Sequence, residues 1–208
     1  MSQRDKGFTL LEMLLAIALL GLMMILVATA LTSGRHTLET VDRYAARLTE
    51  IRAAQGFLRN ALEQALPIPF EGNTVQPGPM FEGDSEHLRF VAPLPAALNG
   101  GLQTHTFTAK ANSSGTDDLI VSFTHASRGQ TDAWGSPQRI LSRFENLQLS
   151  YRGLDDQQQH TGWIPTWPWP KRLPQYVRVE LDIQGPVRWP PLVVALRMNP
   201  DNSQEITQ

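Results

Sequence analysis

One carboxylate in this 208-residue chain stands where a charge is expensive. Glu12 is the fifth residue of an apolar segment that starts at Phe8, and twenty uncharged residues, Met13 to Thr32, follow it. A charge near the centre of a bilayer costs on the order of 2 to 3 kcal/mol or more, so an acid inside such a segment is a functional group by default. A buried carboxylate also needs a partner. The other residues that could do chemistry do not assemble into a catalytic pattern. His36, His87, His105, His125 and His160 are scattered, with no i,i+4 pair and no H-E-x-x-H, so each reads as an ordinary surface residue. There is no G-x-S-x-G and no Gly-rich phosphate loop after a strand. Asp155-Asp156, Asp117-Asp118 and Asp132 lack the EF-hand pattern and read as solvated turns. No enzyme, metal or cofactor is expected. Four tryptophans, Trp163, Trp167, Trp169 and Trp189, lie in Pro-rich segments. They either form a partner surface, as aromatic residues do at interface hot spots, or cover an open end of the core.

These residues need elements to position them. The run from Phe8 to Thr32 is apolar on all sides, and about 20 such residues span the roughly 30 Å hydrocarbon core of a bilayer. It is too long for a signal-peptide core, and Ala28-Thr29-Ala30 is a weak cleavage site. From Arg35 the pattern becomes amphipathic, with Leu38, Val41, Ala45, Leu48, Ile51, Ala54, Leu58, Leu62 and Leu66 at three- and four-residue steps. One helix of about 85 Å is expected from Phe8 to Ala65, ended by Pro67-Ile68-Pro69. Residues 67–85 read as a Pro/Gly-rich loop. Strands are expected at 87–92, 103–109, 118–125, 140–144, 147–152, 176–183 and 192–198. The run at 176–183 alternates most cleanly, Val177, Val179, Leu181 and Ile183 against Arg178, Glu180 and Asp182. Asn199 to Gln208 are polar and expected to fray. Helix then strands predicts an α+β fold with mostly antiparallel pairing.

Composition narrows the function classes. Net charge is −2, there is no basic patch, and nucleic-acid binding has no electrostatic support. The absence of cysteine excludes disulfide and thiolate chemistry.

Gly7-Phe8-Thr9-Leu10-Leu11-Glu12, behind a short leader with Arg4 and Lys6, resembles the class III signal of type IV pilins and type II secretion pseudopilins. The resemblance implies a pilin-like fold, with a long N-terminal helix packed on a mostly antiparallel sheet. It implies cleavage between Gly7 and Phe8 by a prepilin peptidase and N-methylation of Phe8. Loss of Arg4, Lys6 and Asp5 would then leave 16 basic and 19 acidic residues, a net −3. In a bundle of such helices the cation nearest Glu12 is a neighbour's amino terminus, so Glu12 reads as an assembly and register device.

The carboxyl half is more particular. Asn146-Leu147-Gln148-Leu149-Ser150-Tyr151, then Trp163 and Trp167-Pro168, then Leu173-Pro174-Gln175-Tyr176-Val177, is similar to the minor pseudopilin J family of type II secretion. The Trp-Pro density of 163–170 and Arg188-Trp189-Pro190-Pro191 depart from that pattern. The resemblance implies a leader at 1–7, a transmembrane assembly helix at 8–32, its amphipathic continuation at 33–66, a periplasmic β-rich domain at 67–198 and a tail at 199–208. It implies a single-pass inner-membrane protein with a cytoplasmic N-terminus, placed at the pseudopilus tip and priming assembly for export across the outer membrane. Implied partners are minor pseudopilins I and K, pseudopilin H and the major pseudopilin, the prepilin peptidase, and exoproteins or the secretin. The alternatives are a minor pilin of a type IV pilus or competence system, and a membrane-anchored periplasmic enzyme or binding protein.

Overall fold

The computed structural model describes residues 9–71, 78–94, 100–126, 133–185 and 187–197, with the backbone alone from 30 to 40. The expected leader, Phe8, Asp132 and the tail 199–208 lie outside the described residues, as does the side chain of His36. The chain divides into two compact units, Met1–Ala46 and Arg47–Gln208.

Helix α1, Leu10–Glu63, contributes to both units. It starts two residues later than expected because Thr9 is its N-cap: the Glu12 amide donates to Thr9 Oγ1 (3.3 Å) and to the Thr9 carbonyl (3.1 Å). Its last turn tightens, the Ala65 amide reaching the Leu62 carbonyl (3.1 Å), before Pro67 forbids continuation. Leu66 then donates to the Val91 carbonyl (2.8 Å), which carries the chain onto the sheet.

The second unit is a seven-stranded antiparallel meander. Its strands are β1 (Phe81–Gly83), β2 (His87–Leu94), β3 (Gly101–Ala111), β4 (Asp117–His125), β5 (Gln138–Arg152), β6 (Tyr176–Ile183) and β7 (Leu192–Ala195), in that spatial order. Two expectations are corrected. The loop at 67–85 contains β1, a three-residue strand whose Phe81 is fully buried. The strands expected at 140–144 and 147–152 are one strand, because β5 passes Glu145-Asn146 through a bulge between Phe144 and Asn146 instead of breaking. β5 serves two neighbours in succession: its first half pairs with β4 and its second half with β6. The sheet curls, so that the Leu149 amide of β5 donates to the Ser85 carbonyl of the β1–β2 turn (3.0 Å).

The core lies between the 47–63 portion of α1 and one face of this sheet. Ile51, Ala54, Leu58, Ala61 and Leu62 are buried on the helix, and Phe57 meets Phe107 with ring centroids 6.1 Å apart. Phe81, Phe90, Phe107, Phe144 and Tyr151 fill the sheet side. His105 sits among them. It was expected at the surface, but it is 1% exposed, stacked on Phe90 (5.6 Å) and edge-on to Phe123 (4.9 Å). Its neighbours in the sequence are threonines, so nothing local marks it as a core residue; the cross-strand register with Phe90 and Phe123 does.

Candidate assembly site and tryptophan surface

Glu12 occupies the third position of α1 after its cap, at the head of the 20-residue stretch Leu10–Thr29. That stretch is the one helix among the described residues long and apolar enough to cross a membrane. Its large apolar side chains are exposed, from Leu10 at 82% to Met13 at 54%. A helix that is hydrophobic all round and covered by nothing among the described residues suits lipid or the company of other helices. Among the described residues no cation pairs with the Glu12 carboxylate. The structure therefore places the acid at the start of an uncovered apolar helix, with its amide used by the cap and, among the described residues, no cation on its carboxylate. Gly7 and Phe8, the expected processing pair, lie outside the described residues.

The tryptophans split into two kinds. Trp167 is 4% exposed; its indole N–H donates to the Arg172 carbonyl (2.9 Å), and its amide donates to the Gly83 carbonyl of β1 (2.9 Å). A Cβ on Gly153 would lie 2.6 Å from its ring, so the indole passes directly over that glycine. Trp189 is 7% exposed and donates to the Val179 carbonyl (3.1 Å). Both are core residues with their polar atoms satisfied. Trp163 and Trp169 are half-buried, each beneath a guanidinium: Arg178 lies 4.1 Å from the Trp163 ring and Arg172 lies 4.7 Å from that of Trp169. Trp169 packs edge-on against Trp167 (4.8 Å). The 163–174 loop therefore borders β1, with the Met80 and Phe81 amides donating to the Pro170 carbonyl (2.7 and 3.2 Å). Trp163 and Trp169, not Trp167 and Trp189, retain area for a partner.

Sequence reasoning missed two positioning networks. Arg47, 7% exposed, pairs with Glu50 (2.6 Å) and donates to the Arg143 carbonyl (3.0 Å). Glu50 accepts from the Ser142 amide (2.8 Å) and hydroxyl (2.7 Å). Burial pushes the Glu50 pKa up, but the Ser142 hydroxyl, Arg47 and the Ser142 amide outweigh it and hold the acid below its usual 4.5. Together they grip the irregular part of β5, where Arg143 adopts a left-handed φ of 52°. The sequence signal was an i,i+3 Arg–Glu pair on the core side of the helix. The second network is the Tyr151 hydroxyl, donating to the Asp84 carbonyl (2.8 Å) across Gly83, where a Cβ would lie 2.4 Å from the ring. Burial, with Asp84 adding, raises the Tyr151 pKa, so the phenol stays protonated and donates. Asp155-Asp156 lies in a turn as expected, but Asp117-Asp118, expected in a solvated turn, opens strand β4 because both residues pair across to β3. Asp155 caps the amides of Gln157 and Gln159, Asp156 meets Arg172, and Asp118 holds Asn112 and Arg139.

A capped, uncovered apolar helix with one acid at its head, followed by a curled antiparallel sheet packed on its amphipathic continuation, defines a pilin-like subunit. Residues 2–28 match the prokaryotic N-terminal methylation motif family. Residues 29–193 match the family described as type II secretion system (T2SS), protein J, and the chain belongs to that family. It is 34% identical over 202 residues to the type II secretion system protein J of Xanthomonas campestris pv. campestris, covering 94% of this chain and 95% of that protein. In fold it is similar to a chain in the crystal structure of the GspK-GspI-GspJ complex from the enterotoxigenic Escherichia coli type 2 secretion system. That match has a TM-score of 0.51 at 21% identity over 74% of this chain and 99% of that one. The J-family match separates this chain from the minor pilins of type IV pili and competence systems.

Proposed function

We propose that this minor pseudopilin acts by assembly, not catalysis, and joins minor pseudopilins I and K in a complex at the pseudopilus tip that primes filament growth. In this reading a prepilin peptidase removes residues 1–7, cutting between Gly7 and Phe8, and methylates the new amino terminus. Residues 8–32 hold the subunit in the inner membrane, with its N-terminus cytoplasmic. Residues 33–66 continue the helix into the periplasm, 67–198 form the β-rich domain there, and 199–208 trail from it. Glu12 then pairs with the amino terminus of a neighbouring subunit, which sets the register at which helices enter the filament. Pseudopilin H and the major pseudopilin lie below the tip, and exoproteins or the secretin meet it from above. The observation that carries this is a carboxylate at the head of an uncovered apolar helix with no cation beside it among the described residues. The known assembly of a structurally similar chain in a GspK-GspI-GspJ complex supports the choice of partners.

The experiment is co-purification of the full-length chain with tagged I and K from detergent-solubilised membranes, with mass spectrometry of its amino terminus. Wild type should carry a methylated Phe8 and co-purify with both partners. Glu12→Ala should insert and be cleaved normally but enter filaments poorly. Unchanged incorporation of Glu12→Ala would defeat the register role, and failure of wild type to retain either partner would defeat the tip complex.

A further inference from the structure

The two margins of the sheet are finished differently. At one, the 163–174 loop lies along β1: the Met80 and Phe81 amides donate to the Pro170 carbonyl (2.7 and 3.2 Å), and the Trp167 amide donates to the Gly83 carbonyl (2.9 Å). At the other, β7 pairs with β6 alone. The Leu196 amide donates to the Gln175 carbonyl (2.9 Å). Hydrogen-bonded pairs alternate along an antiparallel ladder, so two residues back Val194 and Val177 exchange bonds, while Val193 and Ala195 turn their backbone groups to the open side. Among the described residues nothing meets those groups. A bare edge of this kind is a template for another strand.

The side chains along the edge say what kind of strand fits. Leu192, Val194 and Leu196 are buried, while Val193, Ala195 and Arg197 share the exposed face, with Val193 43% exposed. The segment from Val187 to Arg197 contains Arg188 and Arg197 and no acid, in a chain whose net charge is −2. Among the described residues neither guanidinium meets a carboxylate. A second copy paired edge to edge would bring two such cationic segments together with no acid between them, so charge favours a different and acidic partner. The approach to the edge is already fixed. Gln55 of α1 donates to the Pro190 carbonyl (2.9 Å), and the Trp189 indole donates to the Val179 carbonyl (3.1 Å). Pro191 offers no N–H, so pairing starts at Val193. An edge held in this way loses little freedom when a partner adds to it.

We propose that the β7 edge takes an extended acidic segment of another polypeptide as a further strand, antiparallel to β7. The segment's backbone pairs with Val193 and Ala195. An apolar side chain sits opposite Val193, and a carboxylate four residues before it sits opposite Arg197. Side chains directly opposite one another have Cβ atoms about 5 Å apart, within reach of a charge-assisted arginine–carboxylate bond. All these contacts fall on one strand. The site does not rest on the tip-complex reading.

The test uses the full-length chain in detergent micelles and the fluorescein-labelled heptapeptide Thr-Glu-Thr-Thr-Thr-Val-Thr, read by fluorescence anisotropy. It should bind at least tenfold more tightly than its Thr-Lys-Thr-Thr-Thr-Val-Thr counterpart, and added salt should weaken it. Arg197→Glu should reverse the preference and Arg197→Gln should erase it. Ala195→Pro should abolish binding, since the N–H it removes faces the open side and not β6. Both residues are exposed, so circular dichroism should not change. The acidic peptide methylated on its fourth and sixth amide nitrogens, which face β7, should lose at least tenfold in affinity; methylation of the third and fifth, which face away, should not weaken it. Equal binding of the two peptides, or binding by neither, would overturn the proposal. So would an unaltered preference in the Arg197 variants, or equal effects of the two methylation patterns. Dimerisation of the chain that Ala195→Pro abolishes would give the edge to a second copy. Binding gained only on deletion of residues 199–208 would give it to the chain's own tail. Either result overturns the proposal too.

Discussion

The two units of this chain satisfy their side chains in opposite ways. From Leu10 to Val27 the large apolar side chains of α1 are exposed, and the one acid among them has no cation beside it among the described residues. In Arg47–Gln208 the same helix buries Ile51, Leu58 and Leu62 against the sheet, and even Arg47 and Glu50 close on each other and on Ser142. The first unit leaves its apolar surface uncovered and, on the proposed reading, takes its partners from lipid and other helices. The second is closed on itself and offers partners only what remains at its rim. On the proposed reading, assembly and folding fall to different stretches of one chain, and substitutions in the two stretches should be read by different assays.

The sharpest break of the second unit is Trp167→Ala. The indole is buried, covers Gly153, and ties the 163–174 loop to β1 through its amide and ring N–H. Removing such a ring costs about 3 to 5 kcal/mol. Thermal unfolding of the variant should show a midpoint lower by many degrees. A fall of less than about 1 kcal/mol, within the range of ordinary surface changes, would mean that the loop is not part of the closed core.

His105 gives the next largest effect, seen as pH dependence. Burial pushes its pKa down from 6.5 to about 4, opposed by its ring N–H bond to the Gln103 carbonyl (3.1 Å). Below pH 6.5 the unfolded chain takes a proton that the folded chain refuses until about pH 4, so stability falls through that window and levels off beneath it. The full span is roughly 3 kcal/mol. His105→Phe, which keeps the aromatic packing, should flatten unfolding free energy between pH 6.5 and 4. A variant with the wild-type slope would place the proton uptake elsewhere. Glu50, held below 4.5, contributes stability that is lost only as pH falls below about 4.5, so its window overlaps the His105 window only at the acid end.

Gly83→Ala should come third. Its Cβ would meet the Tyr151 ring at 2.4 Å, and the phenol cannot retreat without losing its bond to the Asp84 carbonyl. Overpacking of this kind costs about 1 to 3 kcal/mol. Gly83→Ala combined with Tyr151→Leu should recover much of the loss from the clash, and additive losses would mean that the two do not touch in solution.

What the sequence disclosed follows from how local each signal is. β6 was legible because Val177, Val179 and Leu181 alternate with charged residues, and the structure buries that set alone. The helix was legible because an apolar run and an amphipathic stripe join without a breaker before Pro67. β1 was not, since three residues between prolines and glycines show no period, and their strand state comes from pairing with β2. The bulge that keeps β5 whole was hidden for the same reason: Glu145-Asn146 reads as a turn until β4 and β6 are both beside it. At the assembly site the type and place of Glu12 were readable from its apolar surroundings. The division of the tryptophans was not, because burial of Trp167 rests on Gly83 and Gly153, residues far apart in the chain with no pattern of their own.

The smallest effect is the one that sharpens the comparison most. Leu20 lies in the uncovered stretch of α1 and is 59% exposed. If the first unit contributes nothing to the closure of the second, Leu20→Ala removes no packing from the folded chain. Leucine and alanine are also close in helix propensity. Unfolding of the β unit, followed by tryptophan fluorescence in detergent, should shift by less than about 0.5 kcal/mol. The same substitution lowers the transfer free energy of the span, since about 25 cal/mol is lost for each Å² of apolar surface removed, and it thins the surface presented to neighbouring helices. Its consequences should therefore appear in filament incorporation and not in stability. A loss of more than about 1 kcal/mol in the isolated subunit would mean that the span is held by its own chain, and the separation of assembly from folding would fail.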